Sequence, residues 1–418
     1  MKFIHAADIH LDSPLSGLAA YKDAPAELLR TATREAFSRL VQEAVDEAVD
    51  FVVLAGDLYD GNWKDYNTGH FFCREMGRLN QAGIPVYLLF GNHDADSEMT
   101  RRLVLPPNVE VFQARKPSSF RIEALRVALH GQSYRVAETR ENLATGYPPP
   151  VPGWLNIGVL HTALEGNAGH APYAPCSLAE LAAKGYDYWA LGHVHGYALL
   201  QTNPWVVFPG NLQGRHIRET GPHGAVLVSA DETGILGVER LLVDVLRWEL
   251  VEVDAGPAAT LDEVVRLVGR AFEGLVDANP GSLHLSVRVR ITGKTAAHGE
   301  LFGREGHLRE EVIGQAAAVG IERLWVEKVR VETEPAADAA ALRARSDAIG
   351  DLDALLAEAP GDPVLLASLA EDLRQLVTRA PPELGQALPE FQAIRDGDLA
   401  DLVRAVSPGL LAHLAKAG

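Results

Sequence analysis

Phe51-Val52-Val53-Leu54-Ala55-Gly56-Asp57-Leu58-Tyr59-Asp60 is the stretch from which the rest of the chain is read. A short apolar run, Phe51 to Ala55, ends at a polar motif with two acids, the pattern of a strand that delivers a functional loop. The same grammar recurs four times. Lys2 to Ala7 runs into Asp8-Ile9-His10, and Val86 to Phe90 into Gly91-Asn92-His93-Asp94. Ile157 to Leu160 runs into His161, and Tyr188 to Leu191 into Gly192-His193-Val194-His195. Between the first two runs, Ala36, Phe37, Leu40, Val41, Ala44, Val45 and Ala48 fall on one helical stripe. Strands alternating with helices predict a layered sheet whose motifs gather at the carboxyl ends of its strands.

Val206 to Pro209, Gly224 to Ser229 and Gly237 to Leu242 follow one another with little helix between them. They suggest a second sheet, and hence an α/β fold: a two-sheet β-sandwich flanked by helices. After Asp254-Ala255-Gly256-Pro257 the pattern resets. A helix near Leu261 to Leu275 leads to Leu283, Leu285, Val287, Val289 and Ile291, which alternate with polar residues as a half-buried strand does. A helix near Leu308 to Val319 and a strand near Leu324 to Glu332 complete a small α/β capping domain. From Ala336 onward the pattern is helical, with Leu366, Leu369, Leu373 and Leu376 on one stripe. The expected division is 1–252, 253–335 and 336–418, the last a helical cap or a partner-docking region.

With 418 residues, 47% hydrophobic and 22% charged, the composition is that of a globular protein with ample core. Met1 to Asp12 lacks the features of a secretory signal, and no apolar stretch is long enough for a bilayer, so a cytoplasmic protein is expected. Cys73 and Cys176 read as isolated reduced thiols. The net charge of −18 is awkward for a protein that grips DNA alone, since phosphate binding rests on a basic surface. Either the substrate is short or a partner supplies the grip.

The five motifs offer carboxylate, amide-oxygen and imidazole donors without a thiolate, a mixture suited to Mn²⁺, Fe²⁺ or Zn²⁺. Asp8, His10, Asp57 and His195 are assigned to one ion. Asp57, Asn92, His161 and His193 are assigned to the other, with Asp57 as the bridge. Two such ions make bound water nucleophilic at neutral pH, which points to hydrolysis of phosphate esters. His93, next to ligand Asn92, must point elsewhere and is the candidate proton donor to the leaving oxygen, with Asp60 fixing its other nitrogen.

Arg215 and His216 follow a Gly-Asn turn and are candidates to contact a substrate phosphate. Tyr59, Trp63 and Tyr66 would stack on a base if they faced substrate, but core packing accounts for at least two of them. Gly293-Lys294-Thr295 lacks the first glycine of a phosphate-binding loop, since position 288 is Arg288, and reads as a turn at a strand end. Unaided ATP hydrolysis is not expected.

The motif order resembles the calcineurin-like metallophosphoesterases over roughly residues 1 to 230. Within them, Lys2 to Asp12 resembles the bacterial DNA repair exonucleases of the SbcD and YhaO type, and Tyr186 to His195 with Pro209 to His216 leans toward YhaO. The resemblance implies a Mn²⁺-dependent 3′ to 5′ DNA exonuclease, its endonuclease activity left open, that works with an SMC-like ABC ATPase of the SbcC or YhaN type. Self-association as a homodimer is also left open. The archaeal and eukaryotic members of the family usually place His where this chain has Asp60, so their detailed mechanism does not carry over to it. Two other readings stay open: a phosphodiesterase or phosphatase for a small nucleotide or lipid, and a noncatalytic protein-binding scaffold.

Overall fold

The apolar runs form strands in the computed structural model, which describes residues 1–15, 26–60, 66–95, 103–164, 173–281, 283–320, 322–336, 348–379 and 389–417. In chain order, β1 (Lys2–Ala6), α1 (Ala26–Asp46), β2 (Phe51–Ala55), α2 (Tyr66–Gln81), β3 (Val86–Leu89), α3 (Asn92–Ala95) and β4 (Val109–Val111) come first. β5 (Ser118–Ile122), β6 (Val127–Gly131), β7 (Leu155–His161), α4 (Leu178–Ala183), β8 (Tyr188–Gly192), β9 (Ala198–Thr202) and β10 (Trp205–Phe208) follow. β11 (Gly224–Asp231) and β12 (Gly234–Leu242) close the series. One sheet has the order β12-β11-β1-β2-β3-β4 and the other β5-β6-β7-β8-β10-β9. The centre of each is parallel: β1 to β4 in the first, β6, β7, β8 and β10 in the second.

Period-two alternation explains the layers. From β2, Phe51, Val53 and Ala55 enter the core between the sheets, where they meet Phe3, Ile157, Val159, Tyr188 and Ala190. Val52 and Leu54 face the other way, against Phe37 and Leu40 of α1 and Phe72 and Met76 of α2. Phe3 stacks on Phe51 with ring centroids 4.8 Å apart and meets the edge of Tyr188 at 5.4 Å. Truncating either Phe to Ala would cost roughly 3–5 kcal/mol.

Two local expectations change. α1 ends at Asp46, and Ala48 lies beyond it with φ of 49°. β11 and β12 do not build the second sheet. β11 lies antiparallel to β1, pairing Lys2 with Ser229, and so covers the edge that the parallel series leaves open.

The chain divides into two compact units, Met1–Glu249 with Leu283–Ser286, and Leu250–Ser282 with Val287–Gly418. β13 (Leu246–Asp254), β14 (His284–Thr295) and β15 (Leu324–Pro335) form a three-stranded sheet whose greater part belongs to the second unit. The second unit also holds α5 (Leu261–Ala278), α6 (His298–Leu301) and α7 (Glu305–Gly320). Leu285, Val287, Val289 and Ile291 of β14 are fully buried, as their alternation predicts. Helices Ala348–Glu358, Pro363–Arg379, Pro389–Asp396 and Leu399–Ala417 follow. Leu366, Leu369 and Leu373 are half-buried there, and the Leu376 side chain lies outside the described residues. No helix among the described residues is long and apolar enough to cross a membrane.

Candidate metal centre

The motifs converge because each follows a strand of the two parallel ladders. Asp8 and His10 come from the loop after β1, Asp57 from that after β2, and Asn92 opens α3 just past β3. His161 ends β7, and His193 and His195 follow β8. Asp8, His10, Asp57 and His193 have φ of 50°, 45°, 52° and 100°, left-handed values that L side chains seldom adopt. Each such residue costs on the order of 1–3 kcal/mol, so the surroundings must enforce it.

Hydrogen bonds supply that enforcement. The Asp8 and His10 amides donate to Gly56 O at 3.0 Å and Asp57 O at 3.1 Å, lacing two motifs together. The Asp94 carboxylate accepts from the amides of Leu58 (3.1 Å), Tyr59 (3.0 Å) and Gly91 (2.9 Å). Burial, with the Asp57 charge adding to it, pushes Asp94 up to about 6 even against these donors. Glycine is required where motifs cross. A Cβ on Gly56, whose φ is +98°, would strike the His161 imidazole, and one on Gly91 would strike the Asp57 carboxylate.

The donors form two groups, Asp8 with His10 and His195, and Asp57 with His161 and His193, each able to present ligand atoms within 4.8 Å of one another. His10 Nε2 faces His195 Nε2 at 3.2 Å. His161 Nε2 lies 3.3 Å from Asp57 Oδ2 and 3.0 Å from Asn92 Oδ1, which adds the amide oxygen to the second group. Asp57, expected to bridge, stands in the second group, while its Oδ1 accepts the His93 amide at 3.0 Å.

The electrostatics are those of a site built for cations. Asp8 is fully buried, and burial together with the Asp57 charge holds its carboxyl above the usual range. Burial and the Arg215 guanidinium hold His10 well below the usual imidazole range. His161 is raised to about 9: burial opposes a proton there, but the Asp57 carboxylate outweighs it and is itself held low. Two buried carboxylates, an amide oxygen and imidazoles whose nitrogens face one another fit two borderline or hard divalent ions. His10 Nδ1 is buried with no hydrogen-bond partner among the described residues and lies 3.9 Å from Asp60 Oδ1, while Nε2 faces the other donors.

A supporting network surrounds the donors. The His161 Nδ1–H donates to Ala55 O at 2.9 Å, and Tyr134 Oη to His161 O at 2.7 Å. Glu219 lies 2.8 Å from His195 Nδ1, accepts Asn211 Nδ2 at 3.0 Å and the Arg215 amide at 2.7 Å, and stands 3.7 Å from His216 Nε2. Its carboxyl is held low against burial by His195 and Arg215. Arg215 reaches Glu219 Oε1 at 3.3 Å with Nη2, and Ser13 Oγ at 3.3 Å and Asp60 Oδ2 at 3.9 Å with Nη1. Ser13 Oγ donates to Asp60 Oδ2 at 2.7 Å, and Asp60 Oδ1 lies 3.3 Å from His93 Nδ1. The structure therefore brings all seven candidate ligands, His93, Asp60, Arg215 and His216 to one end of the sandwich, with Arg215 turned to protein carboxylates.

Glu219 and Ser13 are not legible in the sequence as site residues, because neither has a spacing that marks it. Asp94 is visible inside Gly91-Asn92-His93-Asp94, but its amide partners come from Leu58 and Tyr59 after another strand. Of the aromatics near the second motif, Tyr59 is buried, Tyr66 is exposed, and Trp63 lies outside the described residues. Gly293-Lys294-Thr295 ends β14, with Lys294 Nζ 3.4 Å from Glu334.

Residues 1–197 match the calcineurin-like phosphoesterase family, and residues 248–334 match the middle domain of metallophosphoesterase YhaO. The chain is 35% identical over 340 residues to the uncharacterized metallophosphoesterase YhaO of Bacillus subtilis, covering 80% of this chain and 82% of that protein. It is also 26% identical over 300 residues to the DNA double-strand break repair protein Mre11 of Methanopyrus kandleri, 65% of this chain and 63% of that one. A Sulfurisphaera tokodaii protein of the same name is 24% identical over 252 residues, 57% of this chain and 63% of that one. Two donor groups at the strand ends of a helix-flanked sandwich, and relatives that extend through the second unit, lead to one conclusion: the chain belongs to the calcineurin-like metallophosphoesterases, in the YhaO-type family.

Proposed function

We propose that this metallophosphoesterase is a phosphodiesterase acting on DNA, a 3′ to 5′ exonuclease of DNA repair that uses two Mn²⁺ ions. The observation that carries the reading is the two adjoining donor groups, with His93 held beside them by Asp60. The Mre11 relatives favour DNA as the ester. In this reading the protein works in the cytoplasm with an SMC-like ABC ATPase of the SbcC or YhaN type, which supplies the basic grip that a chain of net charge −18 lacks.

Two bound divalent ions would supply a water nucleophile at neutral pH and neutralise the nonbridging oxygens of the phosphate, with Asp57 as the shared ligand. Asp8, His10 and His195 would hold one ion, and Asp57, Asn92, His161 and His193 the other. The His93 side chain is 40% exposed, enough to meet a substrate, and its Nε2 lies 4.0 Å from Asp57 Oδ2 on the side of the donors. Asp60 keeps a proton on Nδ1, which leaves the Nε2 proton of the imidazolium to pass to the departing alkoxide oxygen. Glu219 fixes His195 through Nδ1 so that Nε2 points inward.

The net charge also supports a second reading, hydrolysis of a small nucleotide or lipid ester. An assay with Mn²⁺ on linear duplex DNA, single strands and bis(p-nitrophenyl) phosphate, with His93→Ala as control, separates the two. DNA turnover that disappears in the variant is expected. Turnover of the small ester alone would overturn the DNA reading.

A further inference from the structure

The strand order brings a second feature to the end of the sandwich that holds the donors. β4 runs parallel to β3, and β6 parallel to β7, so the carboxyl ends of β4 and β6 flank those that carry Asn92 and His161. Between the segments leaving these two strands lies a cavity of about 200 Å³, bordered by Arg115 on one side and Arg135 and Arg140 on the other. Ser133 and Tyr134, in its wall, join it to the centre. Ser133 Oγ accepts the Phe90 amide at 3.0 Å, Tyr134 N donates to Phe90 O at 2.9 Å, and Tyr134 Oη donates to His161 O. The cavity is therefore one residue removed from the loop of Asn92 and His93.

Its charge runs against that of the chain. Glu138 and Glu141 also line it, but Glu138 pairs with Arg140 at 3.3 Å. Arg115 and Arg135 are exposed and make no ion pair among the described residues. Three arginines against two glutamates leave the lining net positive in a chain of net charge −18, and Arg115 with Arg135 favours an anion with several oxygens, such as a phosphodiester.

We propose that Arg115 and Arg135 form a subsite for the backbone phosphate of a single nucleic-acid strand, next to the bond that is cut, on the Asn92 and His161 side of the centre. The inference rests on the DNA reading of that centre and adds the path the strand takes. The cavity confines the chain's own basic grip to the phosphate nearest the reaction, and longer contacts fall to a partner.

The test measures binding of a labelled oligothymidylate to the full chain with Mn²⁺, in a His93→Ala background that slows turnover, across a series of salt concentrations. Arg115→Glu with Arg135→Glu should weaken binding and flatten the plot of log affinity against log salt by about 0.7 for each phosphate the protein no longer neutralises. Arg121→Glu with Arg126→Glu, at the opposite end of the β5–β6 pair, makes the same change in net charge and should leave both quantities as they were. Equal weakening in both double variants, or none in the first, would overturn the subsite. Failure of the parent to bind the oligonucleotide, while the unsubstituted protein hydrolyses bis(p-nitrophenyl) phosphate, would overturn both the subsite and the DNA reading but leave the metal centre standing. All four arginines are exposed, and matched thermal melts exclude unfolding as the cause.

Discussion

The candidate metal centre and the core of the second unit treat buried carboxylates in opposite ways. In the second, Glu327 is buried but bound by Arg288 at 2.6 Å, and buried Thr295 donates to Ala258 O at 2.6 Å. Both groups have their complement, as a folded protein ordinarily requires. In the first, Asp8 and Asp57 are buried together, His10 Nε2 faces His195 Nε2, and four of the donors sit on left-handed backbone. Consistency of local and global preference is the mark of structure, and its breach at one place is the mark of a site that something else completes. Here that something is positive charge.

The sharpest test of this contrast is to remove a donor. Asp57→Asn should abolish stoichiometric Mn²⁺ binding, read by elemental analysis after gel filtration, and lower turnover beyond the roughly 10- to 100-fold expected for a supporting group. Retained metal with normal turnover would break the comparison. His93→Ala should reduce kcat by about 10²- to 10⁴-fold with both metals still bound, and Asp60→Asn should move the pH profile in the same assay. If Asp60→Asn left turnover and profile unchanged, the Asp60–His93 pairing would be abandoned.

Glu219→Gln should weaken metal affinity or activity by roughly 10- to 100-fold, because His195 loses its anionic partner and Arg215 one of its two carboxylates. An unchanged titration by calorimetry would reduce Glu219 to a packing role.

A smaller effect concerns stability. His5 is buried between Tyr188 Oη at 3.0 Å and Leu191 O at 3.1 Å, and burial pushes its imidazole down to about 3. The unfolded chain therefore binds the extra proton between about pH 6.5 and 3, so stability is full above that window and is lost as pH falls through it, by about 1.4 kcal/mol per pH unit. Denaturation of the metal-free protein across that range should show the slope, and His5→Phe should reduce it. At the bottom of the scale, Arg290→Ala in the second unit removes an exposed pair with Glu332 at 2.7 Å and should leave the melting temperature and turnover unchanged.

Much of the site is readable from sequence because its donors lie within a residue or two of a strand end, where an apolar run gives way to a motif. Phe51 to Asp60 and Tyr188 to His195 show strand and donors in one short window. The alternation of Leu285, Val287, Val289 and Ile291 likewise marks the buried face of β14. Local period and spacing are properties of the chain itself.

Other features depend on pairings between distant segments. Nothing in Gly224 to Ser229 says that it will cover the edge of β1, and nothing around Glu219 says that its carboxylate will reach His195 and the Arg215 guanidinium. Residue order is enough to say which atoms are offered as ligands and which strands deliver them. Which carboxylates brace them, and that Arg115 and Arg135 line one cavity, had to wait for the folded chain, because these outcomes depend on register between strands that only the closed sandwich sets.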